Sequence, residues 1–295
     1  MDRLLILWTS VFNAEPSAFT FKFDATPPEH RRVFVAESGD KIVASVVLFG
    51  IPIRDDSKKD LLIGGVANVA TDPDFRRKGI SGRLLDMAKA EMIERGYDWG
   101  LLFTGTHSFY EQHGWRTIYR SYVSVHIGSL ALTRQSGDVA LQTQPDLVRL
   151  RALSDASFRT PLSQLRTDLD WRYKIPYRIT SKAVFMGERS FAVVRENVST
   201  PVLEEWGMPE PSIEEFENLL VAISHWAEAR GSKNLIVSAP IMAEARQAME
   251  TLFSHVVDVE EAEAMVLPLK GGWHTAQIIS LFALPEARFF RMDNF

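Results

Sequence analysis

Residues 75–85 read FRRKGISGRLL, and this stretch decides how the rest of the chain is interpreted. Three cations, Arg76, Arg77 and Lys78, precede Gly79 and the beginning of an apolar helical pattern. The first turn of a helix presents N–H groups without intrahelical acceptors and the positive end of the helix dipole, which together suit a diphosphate. Glycine lets the backbone approach such an anion closely, and basic side chains add charge-assisted hydrogen bonds. The stretch predicts a polyanion site; a solvated run of charges before an ordinary helix is the competing interpretation.

The elements around this stretch follow a regular order. Residues 61–70 form a continuous apolar run that is typical of a strand buried on both faces. A proline in the turn after this strand disfavours a helical continuation there. From Ile80 the apolar residues recur at four-residue steps, which predicts a helix that ends at a glycine C-cap. A buried strand at 99–104 and a short helix within HSFYEQHGW, residues 107–115, follow it.

This order of elements resembles that of the Gcn5-related N-acetyltransferases, the GNAT superfamily. The family's pyrophosphate loop is written Arg/Gln-x-x-Gly-x-Gly/Ala, and residues 76–81 of this chain read RRKGIS. Ser81 stands where Gly or Ala is usual, and Gly82 follows it directly. The resemblance implies acetyl-CoA as cosubstrate. Its diphosphate would be bound by the loop and the first helical turn, namely Arg76, Arg77, Lys78, Gly79, Ile80, Ser81 and Gly82.

The strand before the loop has an implied role through its backbone. In the family the pantetheine arm lies beside this strand, which here ends VANVAT at residues 66–71. The resemblance implies hydrogen bonds to pantetheine from the backbone near Val69, Ala70 and Thr71. These residues also read as ordinary members of a core strand. The two interpretations are compatible, because side chains fill the core while the backbone contacts the cofactor.

The second motif, HSFYEQHGW, resembles the GNAT stretch written Phe-Tyr-x-x-x-Gly-Phe. Tyr110 occupies the tyrosine position and Trp115 the final aromatic position. The resemblance implies that Tyr110 lies near the CoA sulfur and protonates the departing thiolate. A phenol with a pKa of about 10 is a suitable donor for this step. The alternatives are that Tyr110 packs on the helix with its hydroxyl satisfied, or positions the cofactor only.

The general base has several candidates. Many family members carry a glutamate on the strand before the loop, whereas residues 61–71 contain no acidic residue and Asn68 is their one strongly polar side chain. His107 and His113 flank the tyrosine and titrate in the right range, although a histidine on a helix surface is more often solvated than catalytic. Water and the terminal carboxylate are the other candidates.

The chain ends ARFFRMDNF, an aromatic-rich tail closed by Phe295. This tail resembles the Eis-like branch of the superfamily, which has tandem GNAT-like halves and a C-terminal carboxylate that reaches the active site. The resemblance implies that the carboxylate of Phe295 accepts the amine proton or binds an ammonium group. The alternative is that Phe289, Phe290 and Phe295 dock the tail on the core.

Composition narrows the class of protein. The 295 residues carry a formal net charge of −5, which disfavours nucleic acid and anionic membranes as partners. The sequence has no cysteine, so disulfides and thiolate metal ligands are excluded, and its histidines show no metal-ligand spacing. We expect a cytoplasmic protein without a secretory signal, because neither a cleavage site nor a run of about 18 apolar residues is present.

The chain divides into two halves of similar size. A polar stretch without periodicity at 131–146 predicts a boundary between a GNAT domain at 1–135 and a second domain at 136–295. Strands alternate with helices in both halves, which predicts an α/β layered fold. The resemblance specifies tandem GNAT-like domains, each with a mixed, mostly antiparallel sheet. The second half lacks the basic loop, so we expect a degenerate copy that holds no cofactor.

The resulting expectation is an N-acetyltransferase that moves an acetyl group from acetyl-CoA to a primary amine in one ternary complex. The acceptor is a small molecule or a peptide, and the net negative charge mildly favours a cationic one. A CoA-binding sensor or scaffold without chemistry is the alternative, motivated by the missing strand glutamate. Aminoacyl transfer from charged tRNA is a third interpretation, which the acidic balance and the CoA-type loop disfavour.

Overall fold

The computed structural model describes residues 1–55, 59–130, 134–157, 160–196, 199–238, 240–269, 272–287 and 289. The helices are α1 Asp2–Phe12, α2 Ser17–Ala25, α3 Ile80–Glu94, α4 His107–Glu111, α5 Leu147–Ala156, α6 Ile175–Ile179, α7 Ile213–Glu228, α8 Ala243–Leu252 and α9 Thr275–Phe282. The strands are β1 Arg31–Ser38, β2 Lys41–Arg54, β3 Asp60–Thr71, β4 Trp99–Phe103, β5 Arg116–His126, β6 Ala140–Gln142, β7 Lys182–Met186, β8 Phe191–Arg195, β9 Val202–Gly207, β10 Asn234–Val237 and β11 Val256–Pro268.

Within the described ranges the strands form one eleven-stranded sheet in the order β1-β2-β3-β4-β11-β5-β10-β9-β8-β7-β6. The pairs β3/β4 and β9/β10 are parallel, and the other neighbours are antiparallel. The predicted α/β layered fold with a mixed, mostly antiparallel sheet is therefore confirmed. Each parallel pair lies toward the centre of the sheet, one in each half of the chain.

The two halves exchange strands at the centre of the sheet. β11 comes from the end of the chain, yet it lies between β4 and β5 and pairs with both. β5 comes from the first half, yet its other edge pairs with β10 of the second half. The parallel pair β3/β4 of the first half therefore lies next to β11 of the second half. In the same way, the parallel pair β9/β10 of the second half lies next to β5 of the first half. The first part of β11 carries three acidic residues, Asp258, Glu260 and Glu261, and it extends along β5 as a regular antiparallel partner.

Helices cover both faces of the sheet. On the first half, α1, α2 and α9 pack on one face and α3 with α4 on the other. On the second half, α7 and α8 cover one face and α5 with α6 the other. No helix in the described ranges is long and apolar enough to cross a membrane.

Helix α2 has no helical periodicity in its sequence, SAFTFKFDA, since its three phenylalanines alternate. The structure explains the pattern, because α2 is enclosed on two sides. Phe19 and Phe23 join the core on the sheet, whereas Phe21 stacks on Tyr177 of α6 with ring centroids 4.2 Å apart. A helix buried on opposite sides shows no amphipathic stripe, and its contacts connect the two halves of the chain.

Candidate active site

The basic loop is fixed to the sheet where it leaves β3. The Asp72 carboxylate accepts the N–H of Asp74 at 3.0 Å, and the Asp72 N–H donates to the Val43 carbonyl at 2.9 Å. Lys41 pairs with the same carboxylate, and its hydrogen bond holds the pKa of Asp72 below its usual value. This turn, with the predicted proline at its first helical position, starts the loop at a defined place beside β2.

Two left-handed residues shape the loop itself. Arg77 has a φ of 60° and Gly79 a φ of 71°, and Gly79 is the N-cap residue of α3. The Gly79 carbonyl accepts the N–H of Arg83 at 3.2 Å, which is the first hydrogen bond of the helical ladder. The N–H groups of residues 80–82, in the first turn of α3, therefore have no acceptor within the helix. Arg76 donates from Nε to the Thr71 carbonyl at 3.1 Å, which holds this arginine against the end of β3.

A cavity of about 590 Å³ lies over this loop. Of the predicted cofactor residues, Val69, Thr71, Arg76, Arg77, Gly79, Ile80, Ser81 and Gly82 line it. Ala70 packs into the core on the α1 side of the sheet, and the Lys78 ammonium donates to the Asp74 carbonyl at 3.0 Å over the ring of Phe75. Neither is part of the lining. Arg76 and Arg77 are the charged groups among the described lining residues, so the cavity is cationic within an acidic chain.

Ser81 and Gly82 have distinct local roles at the start of α3. The Ser81 hydroxyl forms a hydrogen bond with the Thr71 hydroxyl, which joins the first turn of the helix to the end of β3. Gly82 faces His113 of the aromatic motif, and a Cβ at this glycine would lie 2.7 Å from the imidazole Cε1. The glycine therefore allows the two predicted motifs to contact each other directly.

We expect Gly82→Ala to destabilise the fold, with the cost located in the clash with His113. Overpacking typically costs ~1–3 kcal/mol, whereas alanine in place of glycine in a helix favours folding by up to ~1 kcal/mol. The double variant Gly82→Ala, His113→Ala removes the clash and should be more stable than His113→Ala alone. Urea unfolding of the four proteins measures this cycle. An equal effect of Gly82→Ala in both backgrounds would contradict the contact.

Strands β3 and β4 separate beside the cavity. The two strands pair in parallel only at Gly64 with Gly100 and at Gly65 with Leu101. Beyond these residues β4 stays paired with β11. On its other edge β3 bulges against β2, and Asn68 adopts a left-handed φ of 47°. Both features open the backbone of β3 at the end where the cavity lies.

A buried hydrogen-bond chain holds the bulge. The Trp8 indole N–H donates to the Ser45 hydroxyl at 2.8 Å, and this hydroxyl donates to the Asn68 carbonyl at 3.0 Å. Sequence reasoning missed Trp8 and Ser45. The available signal was Asn68 itself, a polar residue in an apolar strand, because Asn tolerates the left-handed conformation that a bulge requires.

Tyr110 of α4 also lines the cavity. Its side chain is buried, and this burial raises the pKa of Tyr110 to about 12, while a hydrogen bond with the Thr104 hydroxyl acts in the opposite direction. Thr104 in turn donates its N–H to the Glu263 carbonyl of β11 at 2.8 Å. The structure thus brings Tyr110 and the basic loop together around one cavity, as the two motifs predicted.

The base candidates are placed differently. His107 Nε2 lies 2.6 Å from the Ala262 carbonyl, and His113 Nδ1 lies 3.2 Å from the Asp86 carboxylate. Neither histidine lines the described cavity, and no aspartate or glutamate is among its described lining residues. Phe289 is buried against Phe103 with ring centroids 5.9 Å apart. Phe290 and Phe295 lie outside the described residues.

Comparison with known proteins gives the family of the first part of the chain. Residues 1–118 match the family model described as the acetyltransferase (GNAT) domain. This match confirms, for residues 1–118, the family that the two motifs predicted. GNAT enzymes use acyl-CoA and act on amine acceptors. The sequence has no significant match among curated proteins.

Solved structures of this class share the fold of nearly the whole chain. Eis1 from Mycobacterium abscessus has a TM-score of 0.64 at 12% identity, over 90% of this chain and 70% of that one. A GCN5-related N-acetyltransferase from Kribbella flavida has a TM-score of 0.63 at 16% identity, over 90% and 67%. Another from Anabaena variabilis has 0.63 at 12% identity, over 90% and 69%. The predicted Eis-like, tandem arrangement of the fold is confirmed.

Proposed function

We propose that this chain is an acetyl-CoA-dependent N-acetyltransferase that passes the acetyl group directly to a primary amine in a ternary complex. The observation that carries the proposal is one cavity that is lined by Arg76, Arg77 and the first turn of α3 and also by Tyr110. The first group suits a diphosphate and the second a sulfur at the opposite end of the same ligand.

The opened end of β3 lines the same cavity. An extended pantetheine arm there would meet the backbone of Val69 and Thr71, both of which line the cavity. The amine nitrogen attacks the thioester carbonyl, the C–N bond forms and the C–S bond breaks. One proton leaves the amine for solvent or a base, and the sulfur receives one. Fixed backbone N–H groups at the carbonyl oxygen would stabilise its developing charge.

Tyr110 is the proposed donor to the sulfur. With a pKa of about 12 it remains protonated throughout the physiological range, so its hydroxyl is always available. A thiol has a pKa of about 8.5 in water, so complete proton transfer from such a phenol is uphill until the thiolate is itself desolvated. We therefore assign Tyr110 a hydrogen bond that strengthens as charge develops on sulfur, followed by proton transfer as the C–S bond breaks.

We propose that residues 136–295 form a degenerate GNAT-like domain without a cofactor, beside the catalytic domain at 1–135. After β9 the chain reaches α7 through Ser212, whose hydroxyl accepts the N–H of Glu215 at 3.3 Å. Glu214 and Glu215 lie in the first turn of α7, where a GNAT domain would bind a diphosphate. Negative charge and an occupied cap oppose polyanion binding there.

Calorimetric titration with acetyl-CoA tests the proposed binding site. We expect one site per chain in the parent and about 10- to 100-fold weaker binding in Arg77→Ala, since a charge-assisted hydrogen bond contributes ~1.5–3 kcal/mol. Arg83→Ala is the matched control, because Arg83 is an exposed cation on α3 that does not line the cavity. Absence of binding by the parent, or equal losses in both variants, would contradict the proposal.

A CoA-binding sensor is the second candidate function, favoured by the absence of a carboxylate from the described lining. Release of free thiol in the presence of a panel of primary amines separates the two. The enzyme releases thiol in proportion to amine, whereas a sensor binds acetyl-CoA and releases none with any acceptor.

A further inference from the structure

A second cavity, of about 210 Å³, lies between α2, β2 and residues 164–174 of the second half. The outer edge of β2 pairs with β1 as far as Phe49. From Pro52 onward the same edge is hydrogen-bonded to the segment that contains Leu165. The cavity opens in the gap between them, at Gly50 and Ile51. It also contacts Leu62, seven residues before Val69 on β3, which places it roughly 23 Å from the acyl-CoA cavity.

The one carboxylate of the described lining, Asp170, is already saturated. It accepts the N–H and the hydroxyl of Thr167 at 2.8 and 3.0 Å and the amide of Gln164 at 3.3 Å. Lys174 pairs with it at 2.8 Å, and both side chains of this pair are 8% exposed. Burial opposes ionisation of Asp170, but Lys174 holds its pKa below the usual value. The pair is internally neutral and contributes no net charge to the cavity.

Lys22 of α2 leaves the cavity with an uncompensated cation. Its ammonium has neither a hydrogen bond nor an ion pair with any residue in the described ranges, and it lies 5.8 Å from the centroid of Phe21. The groups around it are cationic or paired: Arg178 of α6, the Lys174–Asp170 pair and, at the rim, His30. Burial, followed by the charges of Arg178 and Lys174, lowers the pKa of Lys22 to about 7.

We propose that this cavity binds a small carboxylic acid with an apolar body, with its carboxylate on Lys22 and its body against the apolar lining. The lining that would hold the body includes Ala25, Phe49, Ile51 and Pro52. A monoanion matches the charge of Lys22, the uncompensated cation of the described lining. The carboxylate also supplies the partner that a partly buried ammonium needs. Because α2 and residues 164–174 come from different halves, the bound acid would connect the two halves.

Calorimetry at pH 8 with hexanoate, benzoate and acetate as probes tests this proposal. We expect saturable binding of hexanoate or benzoate at one site per chain, at least tenfold tighter than acetate, because acetate lacks the apolar body. Hexanamide, which is uncharged, should bind at least tenfold more weakly than hexanoate. Titrations in two buffers of different ionisation enthalpy should show uptake of up to about 0.9 proton, since a lysine of pKa about 7 is mostly neutral at pH 8.

Two variants locate the site. Lys22→Met should lose the preference for hexanoate over hexanamide and the proton uptake, whereas Lys233→Met, at an exposed lysine of the second half, should retain both. Arg77→Ala should also bind hexanoate normally, which separates this site from the acyl-CoA cavity. No binding of either larger acid by the parent would overturn the proposal, and so would unchanged binding by Lys22→Met.

Discussion

Tyr110→Phe is expected to lower kcat for amine acetylation by about 100- to 1000-fold and to leave the Kd for acetyl-CoA within twofold of the parent value. The change keeps the buried ring and removes only the hydroxyl, the proposed donor to sulfur. Donation by a positioned acid typically contributes a factor of 10² to 10⁴ to the rate, and the interaction strengthens as the thiolate forms. Thiol release at saturating substrate gives kcat, and calorimetry gives the Kd.

Tyr97→Phe is the matched control. Tyr97 is buried in the same core cluster as Tyr110, but it lies against Gly50 on β2 and does not line the acyl-CoA cavity. We expect its kcat within twofold of the parent. Comparable losses in both variants would indicate a structural effect of any buried tyrosine, and an unchanged rate in Tyr110→Phe would remove the proposed role.

The pH dependence gives a separate readout of the same residue. With a pKa raised to about 12, Tyr110 stays almost fully protonated up to pH 10. Its ionisation should therefore not lower kcat between pH 7 and 10. A fall in kcat near pH 10 that is present in the parent and absent in Tyr110→Phe would show an ordinary phenol pKa. It would contradict the buried environment assigned here.

Glu205→Ala is expected to reduce the free energy of unfolding by ~3–5 kcal/mol, because it removes the carboxylate that a buried guanidinium binds through two hydrogen bonds. The Glu205 carboxylate on β9 accepts hydrogen bonds from both terminal nitrogens of Arg166, each at 2.8 Å. The Glu205 side chain is 2% exposed and the Arg166 side chain 9%. Urea unfolding measures the loss. Replacing both residues, as in Arg166→Met with Glu205→Leu, should recover most of the stability, since neither charge of this pair is then left buried.

An exposed pair of the same geometry is the control. Arg246 binds Asp258 through two hydrogen bonds, at 2.7 and 3.2 Å, but these side chains are 31% and 63% exposed. Asp258→Ala should change stability by no more than ~1 kcal/mol, because water replaces the lost partner. Equal effects of the two alanine variants would show that burial does not control the strength of these pairs.

The elements around the opening stretch were predictable because their signals are local. The apolar run of β3, the glycine at 79, the four-residue spacing of α3 and the tyrosine of α4 each depend on neighbours within a few positions. The two motifs also fixed the family of residues 1–118. Helix starts, tight turns and buried strands have strong short-range requirements, so such patterns can be recognised without knowledge of the remaining chain.

Tertiary structure alone decided what depends on distant partners. The acidic first part of β11 becomes a strand because β5 supplies its hydrogen-bond partners. Helix α2 forms although its phenylalanines alternate, because both of its sides are buried. Position 82 requires glycine because His113 lies against it. The uncompensated charge of Lys22 depends on a cavity whose lining comes from both halves of the chain. By itself the sequence determined the family of residues 1–118, the basic loop and the local elements. Strand exchange, the bulge at Asn68 and the second cavity arise from contacts between residues far apart in the chain, which no local pattern encodes.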